Sequence, residues 1–206
     1  QERVDGALRN APSLVGEHEF DADFYRATYP DLCGMDAAAA VAHFENHGQS
    51  EGREPSAGAT KETLIKLMSL AQPTLEIGPF DNPTVIGENV RYADMFSTPQ
   101  LRERALHHDR DPATCPTIHY VLAERPLREI EDRFKYVFSS HCIEHQPDLV
   151  QHLCDVSHLL EAGGEYFVVC PDKRYCFDHF LPPSSIADVI AAHIERRTRH
   201  CSRAWI

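Results

Sequence analysis

The fold of this chain is restricted first by a short apolar run that stops abruptly at a glycine. Residues 75–77, Leu-Glu-Ile, are followed at once by Gly78 and Pro79 and then by a turn sequence at residues 81–83. A strand that ends at glycine lets the backbone turn sharply and approach a ligand closely. Ligands of open parallel sheets bind beyond the carboxyl ends of such strands. We therefore expect Glu76 and Gly78 to form the floor of a nucleoside pocket; the alternative is a buried strand with an ordinary turn.

The glycine content of this turn indicates what kind of ligand it can take. A dinucleotide fingerprint needs three spaced glycines, whereas Phe80 and Asn82 stand where glycines after Gly78 are expected. Their side chains would crowd a pyrophosphate. The turn therefore favours a nucleoside ligand without phosphate and argues against a nicotinamide-dependent oxidoreductase.

Asp94 is the second residue that points to a nucleoside. It follows a predicted strand at residues 89–93, and a carboxylate at that position can accept hydrogen bonds from ribose hydroxyls. Each such charged hydrogen bond contributes roughly 1.5–3 kcal/mol. A turn-forming aspartate is the alternative, and the pairing with the Glu76-x-Gly78 turn favours the ribose interpretation.

Strands and helices alternate along most of the chain. The pattern predicts strands at residues 75–77, 89–93, 117–121, 134–138 and 166–170, and helices at 60–70, 98–106, 148–160 and 184–197. The inward-facing residues are predicted to be Leu64, Leu67, Met68, Leu149, Leu153, Val156 and Leu160. This alternation implies parallel pairing and right-handed crossovers. The predicted fold is α/β: a Rossmann-like, open, doubly wound sheet with helices on both faces.

A small helical module is predicted before the sheet, so we divide the chain into residues 1–58 and 59–206. Residues 1–17 are polar and expected to be flexible. Asp21 caps a helix that buries Phe24 and Tyr25 and ends at Pro30. A second helix, at residues 36–46, shares one face among Ala37, Ala40, Val41 and Phe44, and Gly48 ends it before a polar linker at 49–58.

Composition excludes several classes of protein. The chain has 206 residues and a net charge of −12, which argues against general nucleic-acid binding. The basic residues 196–203 are interpreted as a solvated helix face rather than an RNA-binding patch. The seven cysteines are scattered and odd in number, as in a reduced, cytoplasmic protein. No secretory leader or membrane-spanning apolar run is present in the sequence.

The N-terminal unit resembles a small module found beside enzymes of bacterial surface-polysaccharide assembly. The matching pattern is F-D-x-x-F-Y, then P-D-L, then H-F-x-x-H-G-x-x-E-G-R-x-P, over residues 20–32 and 43–55. Such modules accompany glycosyltransferase and methyltransferase domains. The resemblance implies a docking or spacer element with its own partner.

The remaining region, about residues 60–180, resembles class I S-adenosylmethionine-dependent methyltransferases. The resemblance is carried in order by L-E-I-G-P-F (75–80), V-R-Y-A-D (90–94), F-K-Y-V (134–137), S-H-C-I-E-H-Q-P-D (140–148), L-L-E-A-G-G (159–164) and V-C-P-D-K-R-Y (169–175). The G-P-F-x-x-P loop and the P-D-K-R-Y-x-F-D run resemble a bacterial subgroup linked to glycan or O-antigen loci. The resemblance implies S-adenosylmethionine as cofactor and a saccharide, glycan precursor or small molecule as methyl acceptor.

The resemblance also implies roles for individual residues. The methionine part of the cofactor would lie against Glu76, Gly78, Pro79 and Phe80, and the ribose against Asp94. The adenine would be flanked by Leu122, Ala123 and Glu124, and the methyl-transfer site would be faced by Ser139, Ser140 and His141. Three features depart from the family pattern. Ala123 stands where an aspartate is common, Lys135 also replaces an aspartate, and the usual sixth and seventh strands are not visible.

Candidate groups for chemistry follow the fourth predicted strand. His141 and His145 are candidate bases for an acceptor hydroxyl or amine, with Glu144 orienting them. For His145 we favour the alternative that it caps the next helix and holds the loop. A metal site at His141, Cys142, Glu144 and His145, or at residues 107–109, matches no defensible ligand spacing, so none is assigned.

Asp172, Lys173, Arg174 and Tyr175 follow the fifth strand on the same side of the sheet. They are candidates to bind an acidic or sugar-phosphate acceptor, and a surface ion pair is the alternative. The function predicted from the sequence is methyl transfer. The rival hypothesis is a non-catalytic cofactor-binding or interaction module of a larger polysaccharide-assembly protein.

Overall fold

The computed structural model describes residues 20–56, 61–68, 70–177 and 179–200. The chain forms two compact units, residues 1–68 and 69–206, which are described separately. The predicted flexible segment at 1–17 and the end of the predicted linker lie outside the described residues.

The described residues of the first unit form three short helices and their connecting turns. They are α1 (Ala22–Thr28), α2 (Ala37–His43, continued by a π-helical turn at Phe44–Gly48) and α3 (Lys61–Lys66), with a 3-10 turn at Pro30–Leu32. Asp21 caps α1, because its carboxylate accepts from the backbone N–H groups of Asp23 and Phe24. Asp36 caps α2 in the same way.

The core of this unit differs in part from the predicted one. Tyr25, Leu32 and Ala40 are buried, and Phe20, Tyr29 and Phe44 pack against them. Several residues predicted to face inward do not: Phe24 is half-buried, and Ala37, Val41 and Leu67 are exposed. Tyr25 occupies the centre, so its neighbour Phe24 points partly away.

The signature residues of this unit contact one another. Arg53 forms ion pairs with Asp31 at 2.8 Å and with Glu51, and its guanidinium lies over the ring of Tyr29. The hydrogen bond from Arg53 lowers the pKa of Asp31. The backbone N–H of Asp21 donates to Pro55, which joins the two ends of residues 20–56. The residues of the sequence motif therefore hold the two ends of this unit together.

Gly48 is the most tightly enclosed position of this unit, and replacing it is expected to destabilise the unit. A Cβ atom there would lie 2.2 Å from the hydroxyl of Tyr25 and 2.9 Å from the ring of Phe44. We expect Gly48→Ala to cost about 1–3 kcal/mol of local stability through overpacking. Amide hydrogen exchange of residues 20–56 in the full chain measures this. Adding Tyr25→Phe should recover part of the loss, and unchanged exchange in Gly48→Ala would contradict the prediction.

The second unit is an open parallel sheet. Its strands are β1 (Thr74–Ile77), β2 (Val90–Asp94), β3 (Tyr120–Val121), β4 (Phe134–Ser140) and β5 (Leu160–Val169). Its helices are α4 (Thr98–His107), α5 (Leu149–Leu159) and α6 (Ile186–Ile194), with 3-10 turns at Pro112–Thr114, Leu127–Glu129, Ile143–His145 and Lys173–Tyr175. The strand order is β3-β2-β1-β4-β5 and every pairing is parallel. The predicted Rossmann-like α/β fold is confirmed, and its strands all end at one edge.

The elements differ from the prediction in three places. Strand β3 has only two residues, whereas β5 begins at Leu160 and continues through the predicted turn at 161–164. The crossover from β1 to β2, residues 78–89, contains no helix, and the sequence predicted none there. Helix α5 is rotated from its predicted orientation: His152, Asp155, Val156 and Leu159 are buried, whereas Leu153 is exposed.

Two apolar clusters surround the sheet. One joins Leu75 and Ile77 of β1 to Val137 of β4 and to Val156 and Leu159 of α5. The other joins residues of α4 to the loops after β1 and β2, and consists of Leu101, Ala105 and Cys115 with Phe80, Phe96 and Ile118 packed against them. The second cluster holds the loop after β1 beside the carboxyl edge of the sheet.

Candidate functional site

The ends of β1, β2 and β4 meet at the carboxyl edge. Ile77 pairs with Ala93 on one side and with Ser139 on the other. Gly78 follows in a left-handed conformation with φ of 73°, and its N–H donates to Ala93 O at 2.8 Å. A Cβ atom on Gly78 would lie 3.4 Å from the sulfur of Cys142, which is in the loop after β4. Glycine is needed here because other residues are strained at this φ.

Glu76 forms hydrogen bonds to the crossover loop that the sequence did not predict. Its side chain is 2% exposed, and its carboxylate accepts from the N–H of Thr84 at 2.8 and 3.0 Å and from that of Val85 at 2.9 Å. The carboxylate therefore binds the crossover loop, and a contact between Glu76 and a ligand stays a prediction. These bonds hold residues 79–85 on the sheet without a helix.

Asp94 lies at the end of β2, 7% exposed, and is connected to both neighbouring loops. Its Oδ1 accepts from Phe96 N at 3.1 Å, and its Oδ2 lies 3.4 Å from Phe80 N. Burial raises the pKa of Asp94, and its backbone hydrogen bonds oppose that rise. The Asp94 carboxyl group is thus held at the end of β2, beside the loop after β1.

Two non-glycine residues at this edge also have left-handed backbones. Phe80 has φ of 46° and His141 has φ of 51°. Such conformations cost free energy and are retained where surrounding contacts enforce them, often at functional sites. They flank Gly78, one on its own loop and one at the end of β4.

The end of β4 rests on a buried polar network. Ser139 Oγ lies 2.7 Å from the hydroxyl of Tyr166, which lies 3.0 Å from His152 Nε2. Burial raises the pKa of Tyr166 to about 12 and lowers that of His152, so both are neutral at pH 7. Ser140 Oγ is buried and has no hydrogen-bond partner within the described ranges, which leaves it able to bind a ligand group.

The candidate bases lie beyond this strand. His141 is exposed, with its Nδ1 3.8 Å from Glu144 Oε1, and its backbone N–H donates to Val169. Next to it, burial raises the pKa of Cys142 to about 11, with Glu144 adding to the rise. His145 is exposed in a 3-10 turn, and its carbonyl lies 2.9 Å from His200 Nε2. His141 is thus the histidine at the strand end, whereas His145 is one turn further along.

The remaining predicted cofactor residues lie beside Asp94. Leu122 follows β3 directly, and its N–H donates to Asp94 O at 2.7 Å. Ala123 and Glu124 continue from it as exposed turn residues. Pro79 is buried in the loop after β1. The structure therefore brings the predicted residues after β1, β2, β3 and β4 to one edge.

The residues predicted to bind the substrate include a surface ion pair, which was the alternative interpretation of this segment. Arg174 forms a fork with the Asp172 carboxylate, with its Nη2 2.7 Å from Oδ2. Lys173 Nζ donates to His179 O at 3.1 Å, and the Tyr175 ring is exposed. Asp172 and Arg174 thus bind each other, so a role in binding an acidic acceptor stays a prediction.

The described residues contain neither a metal centre nor a membrane-spanning helix. No group of three or more potential metal ligands comes together within the described ranges, and no helix of this part of the chain could cross a membrane. A concavity lies at the amino edge of the sheet, beside Arg91, Tyr120 and Arg133. Both arginines there donate to backbone carbonyls.

Three interactions at the site were missed from the sequence. Cys142 was considered only as a metal ligand, but it faces Gly78. Asp81 was assigned to a turn, but its carboxylate binds Arg110 at 2.9 Å. The bond of Tyr166 to Ser139 joins residues of neighbouring strands. Each contact joins residues that are far apart in the chain, so only the tertiary structure could reveal it.

Comparisons with known proteins give no argument for a particular function. No family model and no curated protein matches the chain. Among solved structures, the chain is similar to coclaurine N-methyltransferase bound to N-methylheliamine and SAH, with 13% identity and a TM-score of 0.35. The match covers 81% of this chain and 50% of that chain, so the chain spans about half of that protein.

Proposed function

We propose that the second unit binds S-adenosylmethionine and transfers its methyl group to a hydroxyl or amine of a saccharide, glycan precursor or small molecule in the cytoplasm. The observation that carries the proposal is the use of backbone amides after β1. Those of Thr84 and Val85 are bound by Glu76, and that of Phe80 points to Asp94. Amides of this loop would cradle a phosphate in a dinucleotide site, but here carboxylates occupy them.

The charge of the site supports a cationic ligand without phosphate. Glu76, Asp81 and Asp94 are buried within the β1 end, the loop after it and the β2 end, and Arg110 pairs with Asp81. Buried carboxylates repel phosphates and favour a nearby cation. S-adenosylmethionine is a nucleoside sulfonium, so it matches both the missing phosphate cradle and the acidic surroundings.

Residues at the carboxyl edge could contact successive parts of S-adenosylmethionine. Asp94 would accept the ribose hydroxyls, Gly78 would allow close approach of the backbone, and Ser140 Oγ is a polar group without a partner among the described residues. When bound, the sulfonium would supply an activated methyl group. The protein would supply position and electrostatics, and His141 would take the proton of the acceptor, with Glu144 beside it.

A calorimetric titration of the full chain with S-adenosylhomocysteine tests the proposal. We expect saturable binding with a Kd of about 1–100 μM, and no displacement by NADH in a parallel fluorescence titration. Absence of any binding signal would remove the proposal. Binding without methyl transfer to saccharide acceptors would instead support the non-catalytic alternative.

A further inference from the structure

We propose that Arg110 is a positioning residue, which holds the loop after β1 so that the Phe80 backbone N–H stays directed at Asp94. Arg110 Nη1 lies 2.9 and 3.1 Å from the two oxygens of Asp81, whose side chain is almost fully buried. Its guanidinium also lies 5.7 Å from the centre of the Phe80 ring. One side chain thus contacts two successive residues of the loop.

The loop needs such a contact because its backbone is strained. Phe80 has a left-handed backbone, which surrounding contacts must enforce. On one side its ring packs against Leu101 and Ala105 of α4, and on the other its N–H lies 3.4 Å from Asp94 Oδ2. Because Arg110 holds both the Asp81 carboxylate and the Phe80 ring, it restrains the backbone of Phe80, and with it the N–H group directed at Asp94.

The end of α4 places Arg110 for this contact. Asp109 is left-handed with φ of 55°, its N–H donates to Leu106 O, and the Arg110 N–H donates to Ala105 O. These two bonds form a Schellman motif, with Asp109 at the position that usually holds glycine. The chain therefore reverses sharply after α4 and presents Arg110 to the loop after β1.

The contacts of Arg110 with Asp81 and Phe80, which we call the clamp, are tested first without a ligand. Arg110→Gln in the full chain should increase amide hydrogen exchange of residues 80–85 by about tenfold or more, because the loop opens locally while the sheet stays folded. Arg110→Lys should recover part of the protection, and Arg102→Gln, at an exposed arginine of α4, should leave it unchanged. Unchanged exchange in Arg110→Gln would overturn the proposal.

Asp109 provides a test that leaves the clamp residues themselves intact. Asp109→Gly accepts the left-handed conformation and should preserve protection of the loop, whereas Asp109→Val disfavours it and should reproduce the Arg110→Gln effect. Equal loop exchange in the two variants would contradict a role for the Schellman motif in placing Arg110.

The effect on the site is measured by ligand affinity, and this part rests on the proposed function. Arg110→Gln should weaken S-adenosylhomocysteine binding about tenfold with little change in Tm, a separation that a purely structural role would not produce. If the unchanged protein fails to bind this ligand, the proposed function fails while the exchange experiment still decides the clamp. Full affinity in a variant with an opened loop would show that Arg110 does not position the site.

Discussion

Asp94→Asn is expected to weaken S-adenosylhomocysteine binding by at least about tenfold, because an amide replaces the carboxylate that would accept two ribose hydroxyls. Asp94 is buried at the end of β2 and receives backbone N–H groups from two loops. Asparagine keeps the size of the side chain and one acceptor oxygen. The loss should therefore appear in affinity, measured by calorimetry, more than in stability.

The same substitution should change the pH dependence of binding. Burial raises the pKa of Asp94, and ribose hydroxyls bind best to its ionised form. Affinity should therefore fall on acidification, with a midpoint above the ordinary aspartate range, and the Asp94→Asn variant should lack this step. For stability the sign is opposite: the raised pKa favours the folded state at low pH, and this contribution is lost as the pH rises through the folded pKa.

Asp132→Asn is a matched control, since Asp132 lies at the amino edge of the same sheet, where it accepts from Tyr120. It should leave ligand affinity unchanged. Unchanged affinity in Asp94→Asn would remove Asp94 from the site. Equal losses in both variants would indicate a general effect of lost negative charge.

Glu76→Gln is expected to cost about 2–4 kcal/mol of stability, the largest effect on folding that we predict. The Glu76 carboxylate is buried and accepts from the N–H groups of Thr84 and Val85. Glutamine offers one acceptor side-chain oxygen in place of two, and it turns an NH₂ donor toward the backbone N–H of Thr84, which weakens the bonds that hold the loop. The crossover loop has no helix of its own, so these bonds are among the contacts that attach it to the sheet.

Urea unfolding of the full chain measures this loss as a lower midpoint at constant slope. Glu88→Gln, at an exposed glutamate of the same crossover, should leave the midpoint unchanged. Hydrogen exchange should also rise at residues 84 and 85 in the Glu76 variant. An unchanged midpoint would show that the loop is held by other contacts, and Glu76 would again be available as a direct ligand contact.

Local patterns of the sequence predicted the elements well. The helix cap at Asp21, the stop at Gly78 and the parallel pairing of the strands follow from residues close together in the chain. The length of β3 and the rotation of α5 could not be predicted in this way, because they depend on the neighbouring elements against which each one packs. In α5 the buried face includes His152, whose imidazole binds Tyr166, so a count of apolar residues selected the wrong face.

In the candidate site, too, some features follow from the sequence and others only from the tertiary structure. The sequence alone determined which residues arrive at the carboxyl edge, since Gly78, Asp94 and His141 each follow a strand and parallel strands end together. Only the tertiary structure decided what these residues do there. It turned the Glu76 carboxylate inward to the crossover loop and joined Asp81 to Arg110 across 29 positions of the chain. Backbone preference acts over a few residues, whereas the partner of a buried charge is chosen by whichever donors the packed fold brings within hydrogen-bond distance.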